Sequence, residues 1–377
     1  MTVVKAEVFA VRLPMHQPFI VSYGRFDDMP SILLKITTED GVEGWGEAVP
    51  DPHVTGETFE AAYAVLRHTL LPCIEGLSVF DTETLHHRME RVLRGNPSAK
   101  AAVDIALHDA WAKTVGQPLF QLLGGAAHDQ LSQPYVISIK PPEEVALEAK
   151  RALAAGFTAI KLKVGGRPED DAARIRSLHT AAGSAAELRV DANQGWDRSS
   201  ALYVIEQTAD CAVQWYEQPL PAHDVEGMAE LRRATTARLM IDEGVHTTGD
   251  LMRAIRLGAA DMVNIKLMKA GGIRPAMALA SVAEAAGMPC QIGSMVESAV
   301  GTAAGLHVAF ARSIIESNEL VGPEMISEDV AELAVVAGQV VMPTGPGLGV
   351  APDPERIRQL TVDRHQWKPG DSPEVPA

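Results

Sequence analysis

Five charged side chains follow apolar stretches of the sequence at nearly equal intervals of 24 to 28 residues. They are Lys163, Asp191, Glu217, Asp242 and Lys266. Each interval is long enough for one strand, one helix and their connections, which is the length of a βα unit. In a barrel of such units the carboxyl ends of all strands meet at one mouth, where active sites are found. The spacing therefore predicts that three carboxylates and two ammonium groups converge at one site.

The three acids offer the ligands that a hard divalent cation prefers. Carboxylate oxygens suit Mg²⁺, together with water and substrate oxygens, and Mn²⁺ accepts the same ligands. We therefore expect Asp191, Glu217 and Asp242 to bind Mg²⁺, with Mn²⁺ as a substitute, and Asn193 and Glu243 to support these ligands. An alternative is that each acid caps the helix that follows it, a common role of Asp. Their register with two lysine-bearing strands favours the metal site.

Two lysines lie two residues apart in the apolar segment 160–164. Side chains at that spacing on a strand point to the same side, so Lys161 and Lys163 both enter the predicted mouth. Burial, mutual repulsion and a nearby metal would each lower the pKa of a lysine towards that of a general base. Lys266 continues the register on a later strand, whereas Lys269 is assigned to the turn that follows. The pattern indicates acid and base chemistry on an anionic substrate.

The order of the predicted elements divides the chain into three parts. Residues 1–130 begin with alternating strands and continue with helical patterns, which predicts an α+β capping domain. Residues 131–330 alternate short apolar strands with amphipathic helices, which predicts a parallel barrel of about eight strands. Residues 331–377 lose this rhythm and are expected to return to the cap. The predicted fold class is α/β, a TIM-type barrel with an α+β capping domain.

Composition disfavours several other classes of function. The formal charge is -16 at pH 7, and nucleic-acid binding needs clustered Lys and Arg, which the sequence lacks. The three cysteines are widely separated, which favours neither a disulfide framework nor a zinc site and fits a reducing cytoplasm. Because no run of about eighteen apolar residues occurs, we expect no membrane span. These features predict a cytoplasmic protein that binds neither nucleic acid nor membrane.

The segments that carry the charged residues resemble the successive active-site strands of the muconate-lactonizing subgroup of the enolase superfamily. Together they form a specific pattern: IKLKVGG, RVDANQGW, WYEQPL, MIDEGV and NIKLMKAGG. The resemblance implies a (β/α)7β barrel under an α+β cap made from both chain ends, with Mg²⁺ on the three acids. It also implies that Lys163 and Lys266 are opposed acid and base residues, that Lys161 lies beside the substrate carboxylate, and that the chain forms a homo-oligomer.

A more detailed resemblance is to the N-succinylamino acid racemases, particularly those that act on N-succinyl-arginine and N-succinyl-lysine. The segments that carry it are SYGRFDDMPSILLKI, DPHVTGET, VNIKLMKAGGI and GSMVESAVGTAAGLHVAF. The resemblance implies an isomerase whose partner is a small-molecule carboxylate. Such an enzyme removes the α-proton of an N-succinyl amino acid, forms an enediolate and returns a proton to either face. The resemblance also places Glu297 near the mouth after the seventh strand.

Three acids in the cap segments bear on the distal group of the substrate. Asp27, Asp28 and Asp51 fall where the resembled racemases enclose their substrates, so a cationic side chain would be favoured there. The alternative is that these acids are turn residues that face water, a common role of Asp. Our candidates for substrate binding are Asp28, Asp51 and Glu297.

Several other reactions share the same proton abstraction. Synthesis of o-succinylbenzoate and muconate-type cycloisomerisation remain alternatives. Dipeptide epimerases that resemble this chain carry Asp-x-Asp after the last barrel strand, whereas residues 318–323 read NELVGP, which disfavours that reaction. Acid-sugar dehydratases of a related subgroup carry a His-Asp pair where Lys266 stands. A non-catalytic binding protein with this fold is disfavoured because all five chemical positions are intact.

Overall fold

The computed structural model describes residues 1–131, 133–336 and 339–371. Two sheets dominate the structure: a four-stranded antiparallel sheet made from both ends of the chain, and an eight-stranded parallel sheet made from the middle. This is the predicted barrel with an α+β cap, so the predicted fold class is confirmed. Within the described ranges, no helix is both long and apolar enough to cross a membrane.

The N-terminal part begins with long strands and continues with helices, as the sequence pattern predicts. Alternate residues of the first strand are buried, among them Ala6, Val8 and Ala10, because side chains alternate across a strand. The elements are β1 (Val3–Val21), β2 (Gly24–Thr38), β3 (Glu43–Ala48), α1 (Phe59–Val65), a π-helical turn (Leu66–Leu70), a 3₁₀ turn (Leu71–Ile74), α2 (Thr82–Val92), α3 (Pro97–Thr114) and α4 (Leu119–Leu122).

The middle of the chain forms the barrel, in which seven helical connections join eight strands. Neighbouring strands in the sheet are also neighbours in the sequence, and every pair is parallel. The elements are β4 (Tyr135–Ile137), α5 (Pro142–Ala154), β5 (Ala159–Lys163), α6 (Pro168–Ala182), β6 (Glu187–Asp191), α7 (Arg198–Gln207), β7 (Val213–Glu217), α8 (Val225–Ala234), β8 (Leu239–Ile241), α9 (Thr248–Leu257), β9 (Met262–Ile265), α10 (Leu267–Ala270), α11 (Ile273–Ala285), β10 (Cys290–Ile292), α12 (Ala299–Ala311) and β11 (Ile315–Asn318).

The C-terminal part carries short elements and ends beside the first strand. They are α13 (Gly322–Met325), β12 (Val335–Val336), β13 (Gln339–Val340), α14 (Pro354–Leu360) and β14 (Thr361–Trp367). β14 pairs antiparallel with β1, with Ala6 opposite Trp367. The order of the cap sheet is therefore β14-β1-β2-β3. The domain boundaries at residues 130 and 330 stay predictions, and residues 372–377 lie outside the described residues.

Helix α3 lies between the cap sheet and the barrel and contacts both. Its residues Ala102 and Ala106 belong to the apolar core of the cap, while Ala101 and Ile105 belong to the core of the barrel. The approach of β3 is so close that a Cβ atom on Gly46 would lie 2.0 Å from the carbonyl oxygen of Ala102. Only glycine fits there, because the atoms in the way belong to the helix backbone.

Two buried carboxylates of the cap bind the N-termini of barrel helices. Glu47 on β3 accepts hydrogen bonds from the backbone N–H groups of Ser298 (3.0 Å) and Gly301 (2.8 Å) at the start of α12. Asp104 on α3 accepts one from Ile273 (2.5 Å) at the start of α11. A carboxylate is favoured at a helix N-terminus because it satisfies unpaired N–H groups and the positive end of the helix dipole. These contacts fix the cap to the helices that follow β9 and β10.

We predict that Gly46→Ala destabilises the protein through overpacking between β3 and α3. The expected loss in the free energy of unfolding is about 1–3 kcal/mol, measured by urea denaturation. Gly249→Ala in the first turn of α9 is the matched control, because a Cβ there would lie 3.5 Å from its nearest neighbour, Thr247 Oγ1. We expect the control to change stability by less than about 1 kcal/mol. Equal stability of the two variants would contradict the close contact.

Candidate active site

Strand pairing places three of the predicted residues side by side. Lys163 on β5 pairs with Asp191 on β6, and Asp191 pairs with Glu217 on β7. Asp242 directly follows β8 and Lys266 directly follows β9, and all five side chains are buried. Because the strands are parallel, all five residues lie at the same end of the barrel. The structure therefore brings together the five residues on which the sequence prediction depends.

Lys161 is the cation at the centre of the carboxylates. Its Nζ atom lies 2.9 Å from Asp191 Oδ2 and 2.8 Å from Glu217 Oε2, and it also forms an ion pair with Glu319. Burial alone would lower the pKa of Lys161, but the carboxylates outweigh burial and raise this pKa well above its usual value. Lys161 therefore stays charged and links acids at the ends of three different strands.

The other two lysines approach from opposite sides of the barrel. Lys163 Nζ lies 2.7 Å from Asp191 Oδ2 and 5.7 Å from the centre of the Phe19 ring. Lys266 Nζ lies 2.8 Å from Asp242 Oδ2. Three strands separate β5 from β9 in the eight-stranded barrel, so the two lysines stand across the mouth from each other. Both line the same cavity.

The three acids differ in pKa because different cations lie beside them. Burial raises the pKa of Glu217 to about 8, against the opposing effect of Lys161. Burial has the same tendency at Asp191, but Lys161 and Lys163 outweigh it and lower the pKa of Asp191 to about 2. The pKa of Asp242 is also lowered, since its two neighbouring lysines outweigh burial. An added cation beside Glu217 would stabilise its charged form.

Buried oxygen atoms around the acids remain without hydrogen-bond donors. They are Asn193 Oδ1, Glu243 Oε2 and Asn264 Oδ1. Lysine Nζ atoms lie 2.6 and 2.8 Å from the two carboxylate oxygens of Asp242. Within the described residues, no three Asp, Glu, His or Cys side chains surround one point that could hold an ion; lysines lie between the acids instead. Oxygen atoms with free lone pairs are nevertheless the ligands that Mg²⁺ prefers, so these residues fit a magnesium ion.

Two predicted supporting residues connect the acids to one another. The Asn193 backbone N–H donates to Asp191 Oδ1 (2.8 Å), and its side-chain amide donates to Glu243 Oε1 (3.1 Å). Gln218 Oε1 accepts hydrogen bonds from the backbone N–H of Asp242 (2.8 Å) and so orients the next strand end. Asn193 and Gln218 both have positive φ, at 39° and 34°. Backbone strain of this kind persists where the surrounding contacts hold it, which is common at functional sites.

The cavity at the mouth is closed by the cap. Phe19, Tyr23, Phe26 and Asp51 line it from the cap, opposite the lysines of the barrel. Its volume is about 40 Å³, whereas sites for ligands of drug size occupy roughly 300–1,000 Å³. A ligand of that size would therefore need more room than the cavity has in this structure.

The three substrate-binding candidates lie in different places. Asp51 lines the cavity, is 6% exposed, and receives a long contact of 3.4 Å from the Tyr23 hydroxyl at Oδ2. Asp28 instead points outward, with a side chain 39% exposed and an ion pair to Arg12 at 2.8 Å. It lies on the β2 ladder, where alternation turns it away from the mouth, so the structure does not bring it to the site.

Glu297 lies behind the loop that lines the cavity rather than on its surface. Its carboxylate accepts hydrogen bonds from Ser294 Oγ (2.5 Å) and from the backbone N–H of Met295 (2.9 Å). Ser294, Met295 and Val296 are the residues that line the cavity there. Val296 has a φ of 64°, which is unusual for a β-branched residue. Glu297 therefore holds this strained loop through hydrogen bonds and is not among the residues that line the cavity.

Sequence reasoning missed two charged residues of the cluster. Glu319 directly follows β11, lines the cavity and pairs with Lys161. It continues the rule of a charged residue at a strand end, so the same spacing argument could have found it. Lys269, assigned from the sequence to a turn, lies in α10 with Nζ 2.6 Å from Asp242 Oδ1. Its position three residues after Lys266 carries no periodic signal that could have identified it.

Comparisons with known proteins match both parts of the chain to families. Residues 144–356 match the model described as enolase C-terminal domain-like. Residues 3–124 match the N-terminal domain of mandelate racemase / muconate lactonizing enzyme. Together the two matches cover most of the described chain.

Relatives with solved or curated functions are similar over nearly the whole chain. An N-succinyl-L-Arg/Lys racemase of Bacillus cereus is 42% identical over 363 residues, which cover 96% of this chain and 98% of that protein. The crystal structure of the N-succinyl Arg/Lys racemase of Bacillus cereus has a TM-score of 0.96 at 41% identity, covering 98% of this chain and 100% of that one. A dipeptide epimerase of Cytophaga hutchinsonii, complexed with Mg and the dipeptide D-Ala-L-Val, has a TM-score of 0.93 at 30% identity, covering 97% and 100%.

We predict that Lys161→Met lowers the free energy of unfolding of the chelator-treated protein by about 3–5 kcal/mol, because it leaves buried carboxylates without their shared cation. Urea denaturation measures the loss. Lys5→Met is the matched control, since its partner Glu7 keeps a second ion pair with Lys35 at 3.0 Å. We expect the control to change stability by about 0–1 kcal/mol. A Lys161 variant as stable as the unaltered protein would show that this charge is not needed for stability.

Proposed function

This chain belongs to the enolase superfamily, in the group of mandelate racemase and muconate lactonizing enzyme, and we propose that it racemises an N-succinyl amino acid with Mg²⁺ and two lysines. The family predicted from the sequence motifs is confirmed. The chain is an isomerase similar to N-succinyl-Arg/Lys racemase. The metal, the two-lysine mechanism and the substrate are the proposal.

The observation that carries the proposal is that Lys163 and Lys266 line one cavity from opposite sides. A racemase must remove the α-proton from either face of a carbon atom and return one to the other face. In the proposed reaction Lys163 takes the proton from one enantiomer and Lys266 donates to the opposite face, and the roles exchange for the reverse direction. Lys161 lies on the same strand as Lys163, and its positive charge favours negative charge on the substrate carboxylate.

The charge of the buried cluster supports a divalent cation. It contains five carboxyl groups and four lysines: Asp191, Glu217, Asp242, Glu243 and Glu319 with Lys161, Lys163, Lys266 and Lys269. Burial raises the pKa of Glu217 to about 8, and a divalent cation beside it would stabilise its charged form. We propose that Asp191, Glu217 and Asp242 hold the ion. When bound, Mg²⁺ would stabilise negative charge on the carboxylate and so make the α-proton more acidic.

The position of Asp51 supports a cationic group at the distal end of the substrate. Asp51 is the acid that the cap contributes to the cavity, and its Oδ2 atom faces Tyr23. The similarity to an N-succinyl-L-Arg/Lys racemase points to the same class of substrate. We propose an N-succinyl amino acid with a basic side chain as the small-molecule partner. The homo-oligomer and the cytoplasmic location stay predictions.

Other reactions of the superfamily remain second candidates. A dipeptide epimerase also matches this chain in structure, but residues 318–323 lack the Asp-x-Asp pattern that would meet a peptide ammonium group. Synthesis of o-succinylbenzoate and muconate-type cycloisomerisation would use the same lysines for one proton transfer. One proton transfer needs one of the two lysines, whereas racemisation uses both, which is why racemisation is preferred.

We predict that Lys163→Ala and Lys266→Ala each abolish racemisation, because each removes the acid or base on one face. Polarimetry measures racemisation, and NMR in D₂O measures exchange of the α-proton from each enantiomer. Each variant should retain exchange for at most one enantiomer, and the two should differ in which one. Lys150→Ala on the exposed face of α5 is the control and should behave like the unaltered enzyme. Racemisation at the unaltered rate in either active-site variant would refute the two-lysine mechanism.

We predict that Asp51→Asn reduces the preference for basic over apolar N-succinyl amino acids by at least about tenfold in kcat/KM. A hydrogen bond to a charged group contributes about 1.5–3 kcal/mol. Asp28→Asn is the matched control, because the same change at the outward-facing acid should leave the preference unchanged. The measurement is kcat/KM for N-succinyl-arginine, N-succinyl-lysine and an apolar derivative. An equal loss of preference in both variants would mean that general charge, and not the position of Asp51, sets specificity.

A further inference from the structure

Lys269 contacts the same carboxylate as Lys266 but from the other side. Lys266 Nζ lies 2.8 Å from Asp242 Oδ2, and Lys269 Nζ lies 2.6 Å from Asp242 Oδ1. Lys266 lines the cavity between the cap and the barrel mouth. Lys269 lines a separate cavity between the cap helices and the loop after β8, together with His246 and Lys100. Asp242 is therefore held between one lysine that faces the proposed substrate site and one that does not.

The ammonium group of Lys269 is engaged by backbone carbonyl oxygens. Its Nζ atom donates to the carbonyl oxygens of Val245 (3.0 Å) and Asn264 (3.1 Å), and also to that of Asp242. An ammonium group has three donors, which these three carbonyl oxygens and Asp242 Oδ1 share. The side chain is only 2% exposed. Lys269 thus ties the end of β9 to the loop after β8.

We propose that Lys269 is a positioning residue: it holds Asp242 Oδ1 at the back of the site, so that Oδ2 is the oxygen presented to a bound metal ion. This inference rests on the proposed function, in which Asp242 is a ligand of Mg²⁺. Lys269 does not exchange protons with the substrate, because it lines the other cavity and its ammonium group contacts Asp242 and backbone carbonyl oxygens.

If Lys269 positions Asp242, its removal should weaken Mg²⁺ binding, whereas if only its charge matters, its removal should strengthen Mg²⁺ binding. A positive charge beside Asp242 repels Mg²⁺, so removing it should tighten binding if charge alone matters. A group that orients a metal ligand acts the other way, and its loss typically costs about 10–100-fold in affinity. Lys266 offers a matched comparison, because it carries the same charge at nearly the same distance from the other oxygen of Asp242.

The test measures Mg²⁺ affinity by titration calorimetry for the unaltered protein, Lys269→Met and Lys266→Met. We expect Lys269→Met to bind Mg²⁺ about 10–100-fold more weakly and Lys266→Met to bind it equally or more tightly. Unchanged or tighter binding in Lys269→Met would overturn the inference. If the unaltered protein binds no Mg²⁺, the proposed function itself is wrong, which is a separate and recognisable result.

A second measurement decides the matter if Lys269→Met does not fold. In a crystal structure of the unaltered protein with Mg²⁺ bound, we expect Asp242 to contact the ion through one oxygen, with the other still paired to Lys269. Contact of both Asp242 oxygens with the ion, or displacement of Lys269 from Asp242, would overturn the inference.

Discussion

Four lysines and five carboxyl groups cluster at one end of the barrel, and all of them except Glu243 form an ion pair with a residue of the opposite sign. A buried charge without a partner is strongly destabilising, whereas a well-paired cluster is tolerated. Lys161 illustrates the constraint, since its ammonium group contacts acids that follow β6, β7 and β11. Because the partners come from different strands, the strand ends must keep their relative positions for the charges to remain paired. The electrostatic cluster and the barrel geometry therefore depend on each other.

The cap is connected to this cluster through two barrel helices, α11 and α12. Glu47 and Asp104 reach from the cap to the N-termini of α12 and α11, which begin just after the strand ends at β10 and β9. Helix α3 lies against both domains, and Gly46 allows its close approach to the cap sheet. The hairpin of β1 and β2 and the loop after β3 contribute residues to the cavity wall, such as Phe19 and Asp51. Hydrogen bonds from Ser22 to Asn193 (2.6 Å) and from Gln194 to His53 (3.3 Å) connect these segments of the cap to the loop after β6.

Much of this arrangement could be predicted from the sequence because it follows from period and spacing. Charged residues at strand ends recur once per βα unit, which predicted the barrel and its five central residues. Glu319 obeys the same rule, since it directly follows β11. Lys269 could not be predicted from spacing, because its role depends on where carbonyl oxygens of the loop after β8 and of β9 meet.

The cap residues were harder to predict for a different physical reason. Asp28 and Asp51 look alike in sequence, yet strand alternation turns Asp28 towards water and Arg12, while Asp51 sits in a turn that faces the cavity. Glu297 is close to the mouth in sequence but faces the backbone of its own loop. Orientation in such loops depends on contacts between distant segments, which a single sequence does not specify.

The central claim is that two different lysines serve the two faces of the substrate. The most direct test is to racemise each enantiomer of N-succinyl-arginine in D₂O with the unaltered enzyme and to measure protium at the α-carbon of the first product by mass spectrometry. Two lysines on opposite faces predict that the product carries deuterium alone in both directions, because its proton comes from a group that never held the substrate proton. A single lysine, with one substrate proton among its three exchangeable positions, would return protium in about one product molecule in three. Protium at that level would contradict the account.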